Sequence, residues 1–178
     1  AFVLTHWNLP KPEIIADVTA ADTVVIVDTN NPQELPPSIN DSTIAGIIDH
    51  HMLVGGLKTK APIDITIRPL ACTATIMHDL MGDAVVAAAP RGIKGAMLSC
   101  ILSDTLEFRS PTTTPHDRAV AEKLAIDLGV DMADLATRMF EAKSDVSAFS
   151  DAELLRMDSK EYTVAGKELR VSVLETTA

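Results

Sequence analysis

Two short apolar runs near the start of the chain predict parallel β-strands. Residues 23–27 and 43–48 are rich in β-branched side chains without alternating polar positions, which is typical of strands buried on both faces. A Pro-rich turn separates the two runs, and the first ends at Asp28, the second at Asp49-His50-His51. The pattern therefore predicts two buried strands that carry polar side chains at their C-terminal ends.

The rest of the chain carries mainly helical periodicity. Residues 72–81 favour a helix capped by Thr73 or Thr75, and an apolar face of Ile93, Ala96, Met97, Cys100 and Ile101 predicts a second helix running toward Asp104. Further helices are predicted at 115–128, with Ala119, Val120, Leu124 and Leu128 inward and Gly129 as C-cap, at 131–142, and at 150–153 with Ser150 as cap, followed by a strand at 168–174. These elements predict an α/β fold with a mostly parallel sheet flanked by helices.

The strand ends are the first candidates for chemistry. Ligands of open α/β sheets bind beyond the carboxyl ends of parallel strands, where Asp28 and Asp49 are expected to lie. Imidazole and carboxylate ligands together suit Mn, Fe, Co or Zn, and the absence of a nearby thiolate argues against a structural zinc site. A helix cap remains the alternative for a strand-end Asp, and a turn residue the alternative for Asp104.

Composition and charge narrow the function classes. The 178 residues suffice for one compact domain, and 25 acidic against 15 basic residues give a net charge of -10, which disfavours nucleic acid and anionic membrane as partners. No apolar run reaches the roughly 18 residues that a membrane span needs. Cys72 and Cys100 lie in apolar stretches, which predicts buried thiols in a reducing compartment, and we therefore expect a cytoplasmic protein.

Five segments together resemble the manganese-dependent inorganic pyrophosphatases of the DHH phosphoesterase superfamily. The Asp49-His50-His51 triplet marks only the superfamily, whereas the stretch from Ser103-Asp104-Thr105-Leu106 to Ser110-Pro111-Thr112, together with Asp158-Ser159-Lys160, is specific to pyrophosphatases. The resemblance covers nearly the whole chain, with one modest departure at Thr29, where many relatives carry His. The segments are residues 25–30, 47–51, 71–76, 101–112 and 157–162.

The resemblance implies a role for each matching residue. Asp28 would bridge two manganese ions, with Co²⁺ or Mg²⁺ as alternative metals, and His50 and Asp104 would both ligate one of these two ions. Asp49 would support these ligands from behind as part of the metal and catalytic site. His51 would face pyrophosphate and its leaving group, and Lys160 would hold pyrophosphate oxygens. The implied reaction is two-metal hydrolysis of pyrophosphate to two phosphates, and the implied assembly is a homodimer.

Two family motifs are missing from this sequence. The opening His-x-Asn-Pro-Asp-x-Asp strand motif is absent, since the stretch from Thr5-His6 to Pro10 lacks its acidic residues, and so is the basic Ser-Arg-Lys motif of the second domain. We therefore expect residues 1–178 to be a partial DHH-type domain, an internal fragment of a longer protein that lacks the family's first strand and C-terminal domain. This chain alone is expected to be inactive.

Two alternative functions stay open at this point. The first is another DHH phosphoesterase, namely an exopolyphosphatase or a phosphodiesterase acting on oligonucleotides or cyclic dinucleotides. The second is a noncatalytic fragment that binds metal or phosphate, which the missing motifs favour for the chain as it stands.

Overall fold

The two apolar runs form neighbouring parallel strands in the computed structural model, which describes residues 2–146, 149–157 and 159–172. The first strand, β1, spans Thr23–Val27, and the second, β2, spans Thr43–Asp49. A third strand that the pattern did not predict, β3 at Asp64–Ile67, pairs with β2 in parallel, so the sheet order is β1-β2-β3. The predicted parallel α/β sheet is therefore confirmed.

Helices make up most of the remaining chain, and the later part also holds a hairpin. Two short 3-10 helices, Pro32–Glu34 and Ile39–Asp41, lie in the turn between β1 and β2. The hairpin pairs β4 with β5 in antiparallel register as a separate two-stranded sheet. The elements are α1 at Phe2–His6, α2 at Thr73–Ala88, α3 at Arg91–Asp104, α4 at Pro115–Leu128, α5 at Met132–Ser144, α6 at Asp151–Leu154, β4 at Ser159–Val164 and β5 at Lys167–Ser172.

Several predicted boundaries are confirmed. Helix α4 has the predicted bounds, and Gly129 ends it in the left-handed conformation with a φ of 64°. Ser150 caps α6 through a capping box with Glu153. Strand β5 agrees with the predicted strand as far as Ser172, and residues 173 and 174 of that prediction lie outside the described residues.

The predicted cap of α2 was wrong. Cys72 is the N-cap, because its Sγ accepts a hydrogen bond from the Ala74 N–H at 3.4 Å. The helix also continues past residue 81, through a kink at Gly82. A thiol is a weak acceptor, which is why the sequence favoured a threonine at this place.

Several residues that the sequence predicted to be buried are exposed in the structure. Val25 and Val27 lie on the same face of β1 and remain 57% and 48% exposed, whereas Ile26 on the other face is buried, so β1 is buried on one face only. In α3, Ile93 and the Cys100 thiol are exposed, although both were predicted to be buried. Ala119 of α4 is exposed as well.

Two apolar cores hold the elements together. The larger core joins α2, α3, α4 and α5 through residues such as Leu98, Ile101 and Leu124, and the smaller one packs β1 and β2 against Ile39. Within the described ranges, no helix is long and apolar enough to cross a membrane. The helical core thus supports the end of α3, and the smaller core supports the strand ends.

Trp7 packs closely against the buried face of α3. Its indole lies against Gly95, and its Nε1 donates a hydrogen bond to Ser99 Oγ at 2.9 Å. A Cβ atom added at Gly95 would lie 2.1 Å from Trp7 Cδ2, closer than any van der Waals contact allows. Only glycine at this position lets the indole and the helix approach so closely.

We predict that Gly95→Ala lowers the free energy of unfolding by about 2 kcal/mol, because the added methyl group overpacks the Trp7 contact. Urea denaturation of the purified chain measures this loss. Alanine elsewhere in a helix interior is favoured over glycine by roughly 1 kcal/mol, so the expected sign is the reverse of the intrinsic preference.

The control for this prediction is the same substitution in a Trp7→Leu background. The smaller side chain leaves room for the methyl group, so the destabilisation should shrink. An equal loss in both backgrounds would show that the Trp7 contact is not its cause.

Candidate metal centre

The register of β1 and β2 places their C-terminal ends side by side. Val27 lies opposite Ile48, and the Asp28 N–H donates to the Ile48 carbonyl at 3.0 Å. Asp28 therefore lies beside the residues that follow β2. This juxtaposition is the one predicted from the strand pattern.

Three side chains meet at this edge of the sheet. Asp28, His50 and His51 each offer one ligand atom within 4.8 Å of the other two, and they form the only such group of three or more potential ligands in the described part of the chain. His50 Nε2 lies 3.7 Å from Asp28 Oδ1, and the two imidazole rings are 4.1 Å apart between centroids. We refer to these residues as the three-ligand group.

The backbone of Asp28 is itself unusual. Its φ is +66°, in the left-handed region that only a few non-glycine residues adopt, among which Asp and Asn are enriched. The side chain that this turn presents is 61% exposed, although its neighbour His50 is largely buried. Asp28 is therefore an accessible member of the group.

His50 is oriented by a backbone carbonyl. Its Nδ1 donates to the Leu70 carbonyl at 3.1 Å, because a carbonyl oxygen can only accept. In the neutral ring this tautomer leaves Nε2 with a free lone pair, and Nε2 is the atom that faces Asp28. A histidine that donates from one nitrogen and presents the other is the usual arrangement of a metal ligand.

His51 is oriented by Asp49 in a similar way. Its Nδ1 donates to Asp49 Oδ1 at 2.8 Å, and the side chain is 55% exposed. Because Asp49 fixes the proton on Nδ1, the other ring nitrogen is left to contact a ligand or solvent. His51 thus combines a fixed ring with an accessible surface.

The Asp49 carboxylate has no exposed surface and accepts hydrogen bonds from all sides. The donors are the His50 and His51 N–H groups at 2.7 and 3.1 Å, the His51 ring and Asn30 Nδ2. Burial alone would raise the pKa of Asp49, but these hydrogen bonds hold the pKa below its usual value. Asp49 therefore lies behind the three-ligand group as a charged anchor.

Asn30 is a site residue to which the sequence assigned no role. Its buried amide Nδ2 donates to Asp49 Oδ2 at 2.7 Å and to the Met52 carbonyl at 2.9 Å, while its Oδ1 accepts from the Val54 N–H at 2.7 Å. It thus joins the loop after β1 to the loop after β2. Its position three residues after β1 is visible in the sequence, but the burial that makes its hydrogen bonds important is not.

Asp104 lies at the end of α3, as predicted, and near the group rather than within it. Burial raises the pKa of Asp104, a hydrogen bond from the Cys72 thiol lowers it, and the charge of Asp28 raises it again. The carboxylate still keeps one exposed side. Asp104 is therefore close enough to interact electrostatically with Asp28, His50 and His51.

A left-handed turn follows Asp104 directly. Leu106, Glu107 and Phe108 have φ values of 49°, 53° and 66°, and each such residue costs roughly 1–2 kcal/mol. The turn is held by the Glu107 N–H on the Leu102 carbonyl at 2.9 Å and by the Ser110 N–H on the Thr105 carbonyl at 2.8 Å. These bonds anchor the turn to the last residues of α3 and fix the backbone on which Asp104 stands.

Lys160 is not brought to this edge by any contact of the described residues. It lies in β4, opposite Val171 of β5, and its side chain is exposed. No hydrogen bond or ion pair within the described ranges joins it to the three-ligand group. Its substrate-binding role stays a prediction.

The chain resembles proteins of known family in both sequence and structure. Residues 2–104 match the family described as "DHH family, N-terminal domain", and residues 137–178 match the family described as "DHHA2 domain". The crystal structure of a Methanococcus jannaschii protein described as a family II inorganic pyrophosphatase superposes with a TM-score of 0.83 at 29% identity, covering 99% of this chain and 60% of that one.

Curated relatives from several bacteria are also named as inorganic pyrophosphatases. Three proteins named "Probable manganese-dependent inorganic pyrophosphatase" are 38% identical in Deinococcus radiodurans, 35% in Listeria innocua and 34% in Lactiplantibacillus plantarum. These matches cover 99%, 97% and 98% of this chain, respectively. The chain spans only 55% to 57% of the length of these relatives.

We predict that Asn30→Ala lowers the free energy of unfolding by about 2 kcal/mol, because it leaves buried donors and acceptors without partners. The same change should speed hydrogen exchange at the Val54 amide, which loses its only acceptor among the described residues. Asn31→Ala is the matched control, since Asn31 caps only the short helix at Pro32–Glu34. Unchanged exchange at Val54 in the Asn30 variant would contradict the bridging role.

Proposed function

The chain belongs to the DHH family, and from this membership and the geometry of its strand ends we propose that the complete protein containing it is a manganese-dependent inorganic pyrophosphatase. The proposal assigns it the hydrolysis of pyrophosphate to two phosphates. The names of the curated relatives and the likeness to the Methanococcus jannaschii structure support it. Because the chain spans little more than half of those relatives, the activity is proposed for the complete protein.

The observation that carries the proposal is the three-ligand group itself. It offers a carboxylate and two imidazoles within 4.8 Å of one another, a donor set that fits manganese. His50 donates its Nδ1 proton away from the group, so Nε2 is ready to bind. In this proposal Asp28 would hold both metal ions, and His50 and Asp104 would both ligate one of them.

Manganese, when bound, would lower the pKa of a coordinated water and offset the charge of the phosphate oxygens. The chain's own residues would provide the contacts to the substrate. Asp49 keeps the His51 proton on Nδ1, so the exposed side of the ring can contact the phosphate that leaves. Lys160 would contribute a positive charge to pyrophosphate binding.

Further parts of the proposal rest on the family resemblance. They are a count of two manganese ions, Co²⁺ or Mg²⁺ as substitutes, and a homodimer. The cytoplasmic location rests on the cysteine content of the sequence and also stays a prediction. The assignment of residues 1–178 to one partial DHH-type domain and the inactivity of this chain by itself also stay predictions. The DHHA2 match to residues 137–178 is the finding on which a division into two domains would rest.

We predict that Asp28→Asn in the complete protein reduces manganese-dependent pyrophosphate hydrolysis at least about 100-fold, because the neutral amide no longer bridges cations. The fold should survive, since Asn adopts the left-handed conformation of this position as readily as Asp. Phosphate release at saturating manganese measures the rate, and circular dichroism checks the fold.

Asp134→Asn provides the matched control for this experiment. Asp134 is an exposed carboxylate of α5 that pairs with Arg138, so the same change of charge should leave the rate unaltered. A near wild-type rate in the Asp28 variant would contradict the proposed metal role. Hydrolysis of polyphosphate or of a dinucleotide in preference to pyrophosphate would instead favour another DHH phosphoesterase.

A further inference from the structure

A second buried carboxylate, Asp117, lies outside the three-ligand group. It belongs to the first turn of α4 and has no exposed surface. One oxygen accepts from the Thr75 hydroxyl at 2.7 Å, and the other accepts from the Ala71 N–H at 3.1 Å and from the N–H and hydroxyl of Thr114 at 3.0 and 2.6 Å. Burial alone would raise the pKa of Asp117, but these bonds hold it below its usual value, so the group carries its charge at neutral pH.

The bond to Ala71 connects Asp117 to the candidate site. The Ala71 N–H and the Leu70 carbonyl belong to one peptide group, and the Leu70 carbonyl is the acceptor of the His50 Nδ1 proton at 3.1 Å. The described chain has no cis peptide bond, so the N–H and the carbonyl point in opposite directions from a single plane. Asp117 and the His50 ring therefore bind opposite sides of the same rigid unit.

This arrangement has an electrostatic consequence. A carboxylate that accepts from an N–H polarises the peptide and increases the negative charge on its carbonyl oxygen. A more negative oxygen accepts more strongly from the His50 Nδ1–H. The tautomer that leaves Nε2 free for a ligand is favoured as a result.

We propose that Asp117 is a positioning residue of the metal centre, which acts through the Leu70–Ala71 peptide to hold the His50 ring in its ligand-ready tautomer and orientation. Carboxylate, peptide and imidazole form a relay. The inference rests on the proposed role of His50 as a manganese ligand, and it adds to that role a residue 67 positions away in sequence whose side chain contacts none of the three ligands in the described structure.

Helix capping alone does not account for this carboxylate. Glu153 occupies the equivalent position in the capping box of α6, where among the described residues its side chain accepts only from the Ser150 N–H and hydroxyl and remains exposed. Asp117 makes the same two capping bonds and two more, to Thr75 and Ala71, which lie in another part of the fold. The two additional bonds separate Asp117 from a simple cap.

The test is Asp117→Asn in the chain as it stands. An amide keeps one oxygen for Ala71 and Thr114, and its NH₂ group can donate to the Thr75 hydroxyl, so the network survives while the charge is lost. Two properties are measured, namely the tautomer of His50 by nitrogen-15 NMR of the metal-free chain and manganese affinity by electron paramagnetic resonance of free Mn²⁺. We expect a smaller fraction of the Nδ1–H tautomer and roughly tenfold weaker manganese binding.

Two control variants separate positioning from stability. Glu153→Gln makes the same change of charge in the capping box of α6 and should alter neither property. Thr75→Val removes the hydroxyl that donates to Asp117 and leaves the Ala71 bond in place. It should therefore lower the free energy of unfolding and leave the His50 tautomer unchanged. An Asp117 variant that loses stability but keeps the wild-type tautomer and affinity would overturn the proposal.

The unmutated chain gives a test that does not depend on how the variant folds. His50 should carry its proton on Nδ1 without metal, and the Ala71 amide should show a hydrogen-bond coupling to the Asp117 carboxyl carbon. A His50 ring protonated on Nε2 alone would overturn the relay. Failure of the complete protein to bind manganese, with both NMR signatures present in this chain, would count against the proposed function and leave the relay confirmed.

Discussion

The Asp49 carboxylate is completely buried at the end of β2, and a charge in that position is tolerated only if donors surround it. The donors are the two N–H groups that follow it, the His51 ring and the amide of Asn30. Each of them also fixes a part of the candidate site. The hydrogen bonds that compensate the buried charge therefore determine where the three-ligand group stands.

His50 is held from two directions by two buried carboxylates. Asp49 accepts from its backbone N–H, and Asp117 acts on its ring through the Leu70–Ala71 peptide. The ring therefore has little freedom to leave the orientation in which Nε2 faces Asp28. A ligand that is oriented before the metal arrives loses little conformational entropy on binding, which is the usual benefit of support behind a metal site.

Sequence reasoning succeeded where the signal was local. Asp28 and the triplet beginning at Asp49 follow apolar runs, and parallel strands end at a shared edge, so their proximity could be predicted without coordinates. It failed where the partner is distant, since nothing near Asp117 indicates that it binds a residue 46 positions earlier. On α3, Met97 and Ile101 are buried as predicted, whereas Ile93 and Cys100 are exposed. The buried face instead includes Gly95, which packs against the Trp7 indole and which an apolar count overlooks. Asn30 was also missed because its hydrogen-bond partners Asp49, Met52 and Val54 lie 19 to 24 positions later in the chain.

The central claim is that manganese binds at the three-ligand group. Manganese is paramagnetic and broadens the NMR signals of nearby nuclei, so a small amount added to the nitrogen-15-labelled chain reports where it binds. Broadening should appear first at the amides of Asp28, His50 and His51, with Asp104 next, and Asp28→Asn should abolish it. Broadening centred elsewhere, for example on the ion-paired Asp79 and His116, or spread evenly over the acidic surface, would contradict the account.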